Sequence, residues 1–322
     1  MDDVRQTENE PAGEFTVRVA ASIGAFTRGE WNSLDGTSRA NSSDSYNPFV
    51  SYDFLTALED SVCAVTKTGW QGCHLRLEEP DGTLLGAVAC YAKSHSQGEY
   101  VFDHGWADAL ERAGGNYYPK LQVSVPFTPA TGPRLLVRHN ADSAAVRQAL
   151  AAALRNAANQ FAVSSAHVTF AQDADMEALI GAGFLERIDH QFHFFNRGYG
   201  SYDEFLSDLA SRKRKALKKE RREALAAGVT IEWLTGKDIT EEAWDSFFRF
   251  YMDTGGRKWG RPYLNRRFFA LVAERMADDV LLIMARRDGR YIAGAINFIG
   301  SGRLYGRNWG CIEDHPFLHF EV

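Results

Sequence analysis

The residues best suited to chemistry begin with a basic run, Ser211-Arg-Lys-Arg-Lys-Ala-Leu-Lys-Lys-Glu-Arg-Arg222. Projected on a helix at about 100° per residue, Leu206, Leu209, Ala210, Ala216, Leu217 and Ala224 fall within roughly 60° of Lys213. Lys213 is therefore expected in an apolar stripe, which Glu220 shares. Arg212, Arg214, Lys215, Lys218, Lys219, Arg221 and Arg222 project sideways or outward. A lysine on the buried side needs an anion. Glu220, a carboxylate across the core or an anionic ligand would each serve, and the run alone leaves the three open.

Proton transfer and ligand contact have other candidates. Asp103-His104 lies between a strand-like and a helix-like stretch, a place for a catalytic base or for a helix cap. Tyr117, Tyr118 and Lys120 surround Pro119, and read either as a grip on a sugar or phosphate or as packing at a strand start. Arg257, Lys258, Trp259 and Tyr263 belong to a glycine-containing cationic segment, Arg257-Lys-Trp-Gly-Arg-Pro-Tyr263, expected to be a loop that contacts a ligand. Tyr305, Arg307 and Trp309 are expected to alternate onto one face of a strand, where Tyr305, a catalytic candidate, and Arg307 meet substrate if that face borders a cleft and Arg307 caps a surface if it does not; His319 and Glu321 also share a face by period two. There is no Gly-x-Ser-x-Gly elbow, and the nine histidines show no metal-ligand spacing. The four cysteines form neither CxxC pairs nor a disulfide framework, which fits a reducing compartment.

These residues need elements to position them. The chain of 322 residues is 45% hydrophobic and 24% charged, enough for two ordinary domains. Its net charge of −6 makes the basic run local and disfavours duplex nucleic acid as a partner. No signal peptide or stretch of about 18 apolar residues is readable, so a cytoplasmic protein without a membrane span is expected. Residues 1–14 read as disordered. Residues 15–200 read as a first α/β unit with a mixed sheet: Phe15–Val19, a hairpin about Asp81-Gly82, Glu99–Phe102, Lys120–Val125, a helix from a Ser143 cap to Gln160, and Gln191–Phe195. One long helix is expected at 201–228. Residues 229–322 then repeat strand, two helices and meander, with a second Asp-Gly turn at 288–289. Leu84-Leu-Gly-Ala-Val88 echoes Tyr291-Ile-Ala-Gly-Ala-Ile296, so duplication with equivalent meanders at 73–125 and 280–310 is expected. The second unit is expected to be incomplete, exposing apolar surface near Leu282, Ile296 and Leu304.

That order of elements resembles the opening of the GNAT acyltransferase fold. The stretches Asn47-Pro-Phe-Val50, Tyr91–Asp103, Asn116–Leu121, Pro126–Arg134, Ser211–Lys215, Trp259–Leu264 and Leu304–Gly310 together resemble a Fem-like bacterial group labelled peptidoglycan biosynthesis/recognition. The resemblance covers about residues 20–322 and implies tandem GNAT-like units and acyl or aminoacyl transfer to an amine, favouring a peptidoglycan precursor as acceptor. Such a transfer requires a deprotonated amine and a stabilised oxyanion but no covalent nucleophile. By resemblance Lys213 occupies the place of a lysine that helps bind the precursor's diphosphate. Neither half has the Gln/Arg-x-x-Gly-x-Gly/Ala loop that holds a coenzyme A pyrophosphate, nor the helical hairpin of tRNA-using Fem-type enzymes. The activated donor, aminoacyl-tRNA or acyl-CoA, stays open. A non-catalytic muropeptide or sugar-phosphate binder and a small-amine N-acyltransferase are the rival readings.

Overall fold

The computed structural model describes residues 15–40, 44–226, 228–259 and 262–322, and the side chains of all of these except Lys258 and Trp259. The expected disorder of residues 1–14 lies outside them. Two compact units divide between Phe184 and Leu185.

The first unit opens with β1 (Thr16–Ala20), α1 (Arg28–Asn32) and α2 (Tyr52–Asp60). Its next strands are β2 (Trp70–Gly72), β3 (His74–Glu78), β4 (Leu84–Val88) and β5 (Cys90–Lys93). Then come α3 (His104–Arg112), β6 (Lys120–Val123), β7 (Leu136–Val137), α4 (Ser143–Gln160), β8 (Ala166–Val168) and α5 (Asp173–Gly181). Two sheets form, ordered β1-β3-β4-β7 and β2-β5-β6-β8, antiparallel except for the β6–β8 pair. The β3–β4 hairpin turns at Gly82, where φ of +87° suits a residue without Cβ. Leu75, Leu77, Val88, Leu121 and Val123 from both sheets share one core with Val146, Leu150 and Leu154 of α4 and Leu179 of α5. Asp142, rather than the expected Ser143, caps α4, accepting from the amides of Ala144 and Ala145.

The second unit contains α6 (Tyr202–Ser207), α7 (Ser211–Leu225), β9 (Thr230–Thr235), α8 (Glu241–Trp259) and α9 (Arg266–Met276). It continues with β10 (Val280–Arg287), β11 (Arg290–Gly300) and β12 (Arg303–Cys311), in an antiparallel sheet ordered β12-β11-β10-β9. Strand, two helices and meander thus occur here as the pattern indicated. The two units agree through three strands, β1-β3-β4 against β9-β10-β11, and then part. In the first unit β7 takes the place beside β4 while β5 pairs in the other sheet, so the expected equivalence of the meanders fails at the fourth strand.

Three other expectations are corrected. The single helix over 201–228 is two helices: Ala210 adopts ψ 140°, so α7 starts afresh and Leu206 and Leu209 no longer share a projection with Lys213. Gln191–Phe195 is not a strand, and Phe192 is fully exposed. Leu282 and Ile296 are buried, because α8 covers their face of the sheet. Its Phe250 backbone sits so close to Gly310 that a Cβ there would lie 2.3 Å from the Phe250 carbonyl oxygen. Leu304 is exposed as expected, and Trp233 of β9, on the sheet face opposite Leu282, is exposed too.

Candidate functional site

In the first unit β5 and β6 run side by side with Lys93 opposite Lys120 in register. Both lysines are completely buried, at 0% exposure. Two ammonium groups at one end of a sheet demand counter-charges. The segment between β5 and α3 supplies them. Residues 99–102, expected as a strand, form an irregular loop instead, with Gly98 at φ +80° and Tyr100 at φ +59°. That path carries Glu99 and Asp103 to Lys120, whose Nζ donates to Glu99 Oε2 at 2.7 Å and to Asp103 Oδ2 at 2.5 Å. Asp103 Oδ2 also accepts from Tyr117 OH at 2.8 Å and from Ser96 Oγ at 3.0 Å, and Ser96 Oγ lies 2.8 Å from Tyr118 OH.

Asp103, Tyr117, Tyr118 and Lys120 are therefore brought together. Asp103 stands at the N-terminus of α3, yet its carboxylate makes no cap hydrogen bond, which removes the helix-cap reading. His104, the neighbouring candidate, is exposed and lies outside the network. Sequence reasoning missed Lys93, Ser96 and Glu99. The signal available was Gly98, a turn former ahead of Glu99, which the alternating polar and apolar pattern of 99–102 masked.

The two carboxylates differ in setting. Burial opposes the charge of Asp103, but the hydrogen bonds from Lys120, Ser96 and Tyr117 outweigh it and hold the acid below its ordinary range. For Glu99 burial wins over the attraction of Lys120, and its acid is pushed up. Tyr117 is pushed up by burial and by its bond to Asp103. Paired acids driven in opposite directions suit different roles, the first remaining ionised and the second taking up a proton more readily. Glu99 Oε1 and Asp103 Oδ1 are buried with no hydrogen-bond partner among the described residues. Such oxygens call for a donor from a ligand or water.

Lys93 completes the site. Its Nζ lies 3.5 Å from the centre of the Trp70 ring and donates to the Gln97 carbonyl at 3.2 Å. Burial pushes this amine down to about 7, against the opposing pull of Glu99. Between pH about 7 and the roughly 10.4 of a free lysine, the unfolded chain binds a proton that the folded chain does not, so stability rises with pH in that window. Denaturant melts should show wild type gaining on Lys93→Met across it, by at most about 1.4 kcal/mol per pH unit.

Packing fixes the loop. A Cβ on Gly98 would lie 2.6 Å from the Phe127 ring and 3.3 Å from Trp70, whereas one on Gly82 would meet nothing. Both glycines have positive φ, at +80° and +87°. Gly98→Ala should therefore lose about 1–3 kcal/mol more than Gly82→Ala in thermal melts, the difference measuring overpacking rather than backbone strain.

The remaining candidates lie in the second unit. Lys213 is exposed, not buried in a stripe, and makes no ion pair with Glu220 among the described residues. Arg257 sits in the last turns of α8 instead of a loop, paired with Asp253 at 2.5 Å and donating to the Cys311 carbonyl at 3.2 Å. Tyr263 is exposed, and the side chains of Lys258 and Trp259 lie outside those described. On β12, Asn297 faces Gly306 while Ile296 faces Asn308, so Arg307 is the extra residue of a bulge. The bulge puts Tyr305 and Trp309 on opposite faces, correcting their expected alternation.

No curated protein matches the chain significantly. Residues 22–322 match the model of a family named FemAB-like and described as peptidoglycan biosynthesis/recognition. The match spans nearly the whole chain, including every element of the Glu99–Asp103–Lys120 network, and on it the chain belongs to the FemAB-like family.

Proposed function

We propose that this chain transfers an acyl or aminoacyl group to an amine of a peptidoglycan precursor, directly and without a covalent intermediate. The observation that carries this reading is the pair of buried carboxylate oxygens, Glu99 Oε1 and Asp103 Oδ1, that lack a donor beside the Lys120 ammonium. An acceptor ammonium supplies such donors. Glu99, whose acid burial has pushed up, takes the proton. The free amine then attacks the acyl carbonyl of an activated ester or thioester. A C–N bond forms and the C–O or C–S bond breaks; the proton held by Glu99 passes to the leaving oxygen or sulfur, and the attacking nitrogen then gives its second proton to the Glu99 carboxylate, which releases it to water. Asp103 stays ionised and orients Tyr117, Ser96 and Lys120. Exposed Phe102 and Trp106, close in sequence, offer apolar faces for a sugar.

The family membership supports the acceptor class, and the order of strand, two helices and hairpin that recurs in each unit supports two GNAT-like units. For the second unit, taken by itself, we propose Lys213, Arg257, Lys258 and Arg307 as contacts to anionic groups of a ligand, with Tyr305 as a further catalytic candidate and Trp259 and Tyr263 as aromatic contacts. The donor is aminoacyl-tRNA or acyl-CoA. Recognition without turnover is the second reading, favoured by the near-complete burial of Lys120 and Asp103. Mass spectrometry of a nucleotide-linked peptidoglycan precursor incubated with the chain and each donor class tests the proposal. A mass gain of one acyl or aminoacyl group is expected. Retention of unmodified precursor by the protein would instead establish recognition.

A further inference from the structure

A surface of the second unit, carried by α7 and the segment that precedes α6, rests on observations other than those behind the acid–base network of the first unit. In the second unit α7 carries eight lysines and arginines between Arg212 and Arg222. Ala224 is buried, and Leu225 packs against the core of Val229, Ile292 and Leu318, so that edge of the helix is anchored to the unit. All eight except Arg214 are exposed. Lys218, Lys219 and Arg221 pair with Asp203, Glu223 and Glu321. Arg212, Lys213, Lys215 and Arg222 are exposed with no ion-pair partner among the described residues. The first turn contains no acid and its N-cap, Ala210, no capping side chain, so this charge crowds the positive end of the helix dipole. The arrangement costs stability in water and is relieved by an external anion.

Beside this helix is an apolar surface of unusual exposure. Leu185, Ile188, Phe192, Phe194 and Phe195 are 96%, 76%, 100%, 70% and 75% exposed, in a segment that is neither helix nor strand. Contacts join the two features. The Phe194 ring lies 5.6 Å from that of Phe205, Phe205 lies 5.9 Å from Tyr202, and the Arg221 guanidinium stands 4.6 Å over Tyr202. Water-facing phenylalanines joined through Phe205 and Tyr202 to a cation-rich helix match a bilayer interface, where apolar side chains enter the acyl boundary and lysine and arginine meet anionic headgroups. Single-stranded nucleic acid also pairs aromatics with cations, but Leu185 and Ile188 provide no ring on which a base stacks.

We propose that α7 and the apolar segment 185–195 form a docking surface for an anionic phospholipid bilayer. The association is peripheral, since among the described residues no helix is long and apolar enough to cross a membrane. The full chain should be sedimented with vesicles of phosphatidylcholine alone and of phosphatidylcholine containing about one-third phosphatidylglycerol. Partitioning should be at least about tenfold stronger on the anionic vesicles and should fall steeply from about 0.1 M to 0.5 M salt. Arg212→Glu/Lys215→Glu/Arg222→Glu should remove most of that preference. Phe192→Ser/Phe194→Ser/Phe195→Ser should weaken binding by about tenfold while leaving its salt dependence. The two sets alter different segments, so either decides the question if circular dichroism shows the other misfolded. Equal partitioning on both vesicles, or none, overturns the proposal. Binding of an unstructured oligoribonucleotide without vesicle binding would assign the surface to RNA, and self-association lost in the phenylalanine variant without vesicle binding would assign it to a second copy.

Discussion

Lys120→Met should cost about 3–5 kcal/mol of folding stability, the penalty for leaving buried charge uncompensated. Lys120 is the counter-ion of both Glu99 and Asp103, at 2.7 and 2.5 Å, and all three side chains are at most 1% exposed. Its loss leaves two carboxylates adjacent in a low-dielectric setting. Neutralising them should reverse most of the damage, because a buried pair replaced by neutral groups of similar size is often as stable as the original. Lys120→Met/Glu99→Gln/Asp103→Asn is therefore expected to melt within about 2 kcal/mol of wild type. It should remain without transfer activity. Denaturant unfolding of the single and triple variants checks the stability half, and a triple variant as unstable as Lys120→Met would show that size and shape, not charge, govern this core.

Glu99→Gln should reduce acyl transfer by about 10²–10⁴-fold, the usual worth of a positioned acid–base group. The amide keeps the shape of the side chain and a carbonyl oxygen to accept from Lys120, so the fold should survive at a cost of about 1.5–3 kcal/mol for the weakened charged bond. Asp103→Asn is expected to act differently. Asp103 orients Tyr117, Ser96 and Lys120 and takes no proton, so the acidic limb of the wild-type rate profile should persist in that variant and disappear in Glu99→Gln. Because burial pushes the Glu99 acid up, that limb should lie above the ordinary glutamate range. A limb retained in Glu99→Gln would remove the base role.

Much of the second unit was legible because its signals are local. Asp288-Gly289 sets a tight turn and the long apolar runs of 280–300 allow only strands, so the meander follows from turn chemistry and period. The break before α7 was not legible. Asp208-Leu-Ala210 contains neither glycine nor proline, so intrinsic propensity gives no sign of the extended ψ at Ala210. Lys213 lost its special position for that reason alone. The bulge at Arg307 is similarly invisible to a period-two reading, which cannot register one inserted residue.

The site in the first unit was half visible. Asp103, Tyr117, Tyr118 and Lys120 stood out as polar groups at the ends of apolar strands, where side chains meet without being core. Glu99 was hidden inside an alternating stretch, and Lys93 at the end of a strand whose other residues are ordinary core. Only the positive φ of Gly98 and Tyr100 reveals that the chain turns there, and only the cross-strand register of Lys93 with Lys120 brings the two lysines together.

The central claim is that the Glu99–Asp103–Lys120 network activates an amine for acyl transfer, and it meets its most direct test in single-turnover mass spectrometry. A nucleotide-linked peptidoglycan precursor would be incubated with each activated donor and with wild type, Glu99→Gln and Lys120→Met/Glu99→Gln/Asp103→Asn, all confirmed as folded. One acyl or aminoacyl group should appear on the precursor's amine with wild type, about 10²–10⁴-fold more slowly with Glu99→Gln, and not at all with the triple variant. Equal product formation by all three proteins would contradict the claim, as would wild type that binds the precursor and leaves it unmodified in the presence of every donor.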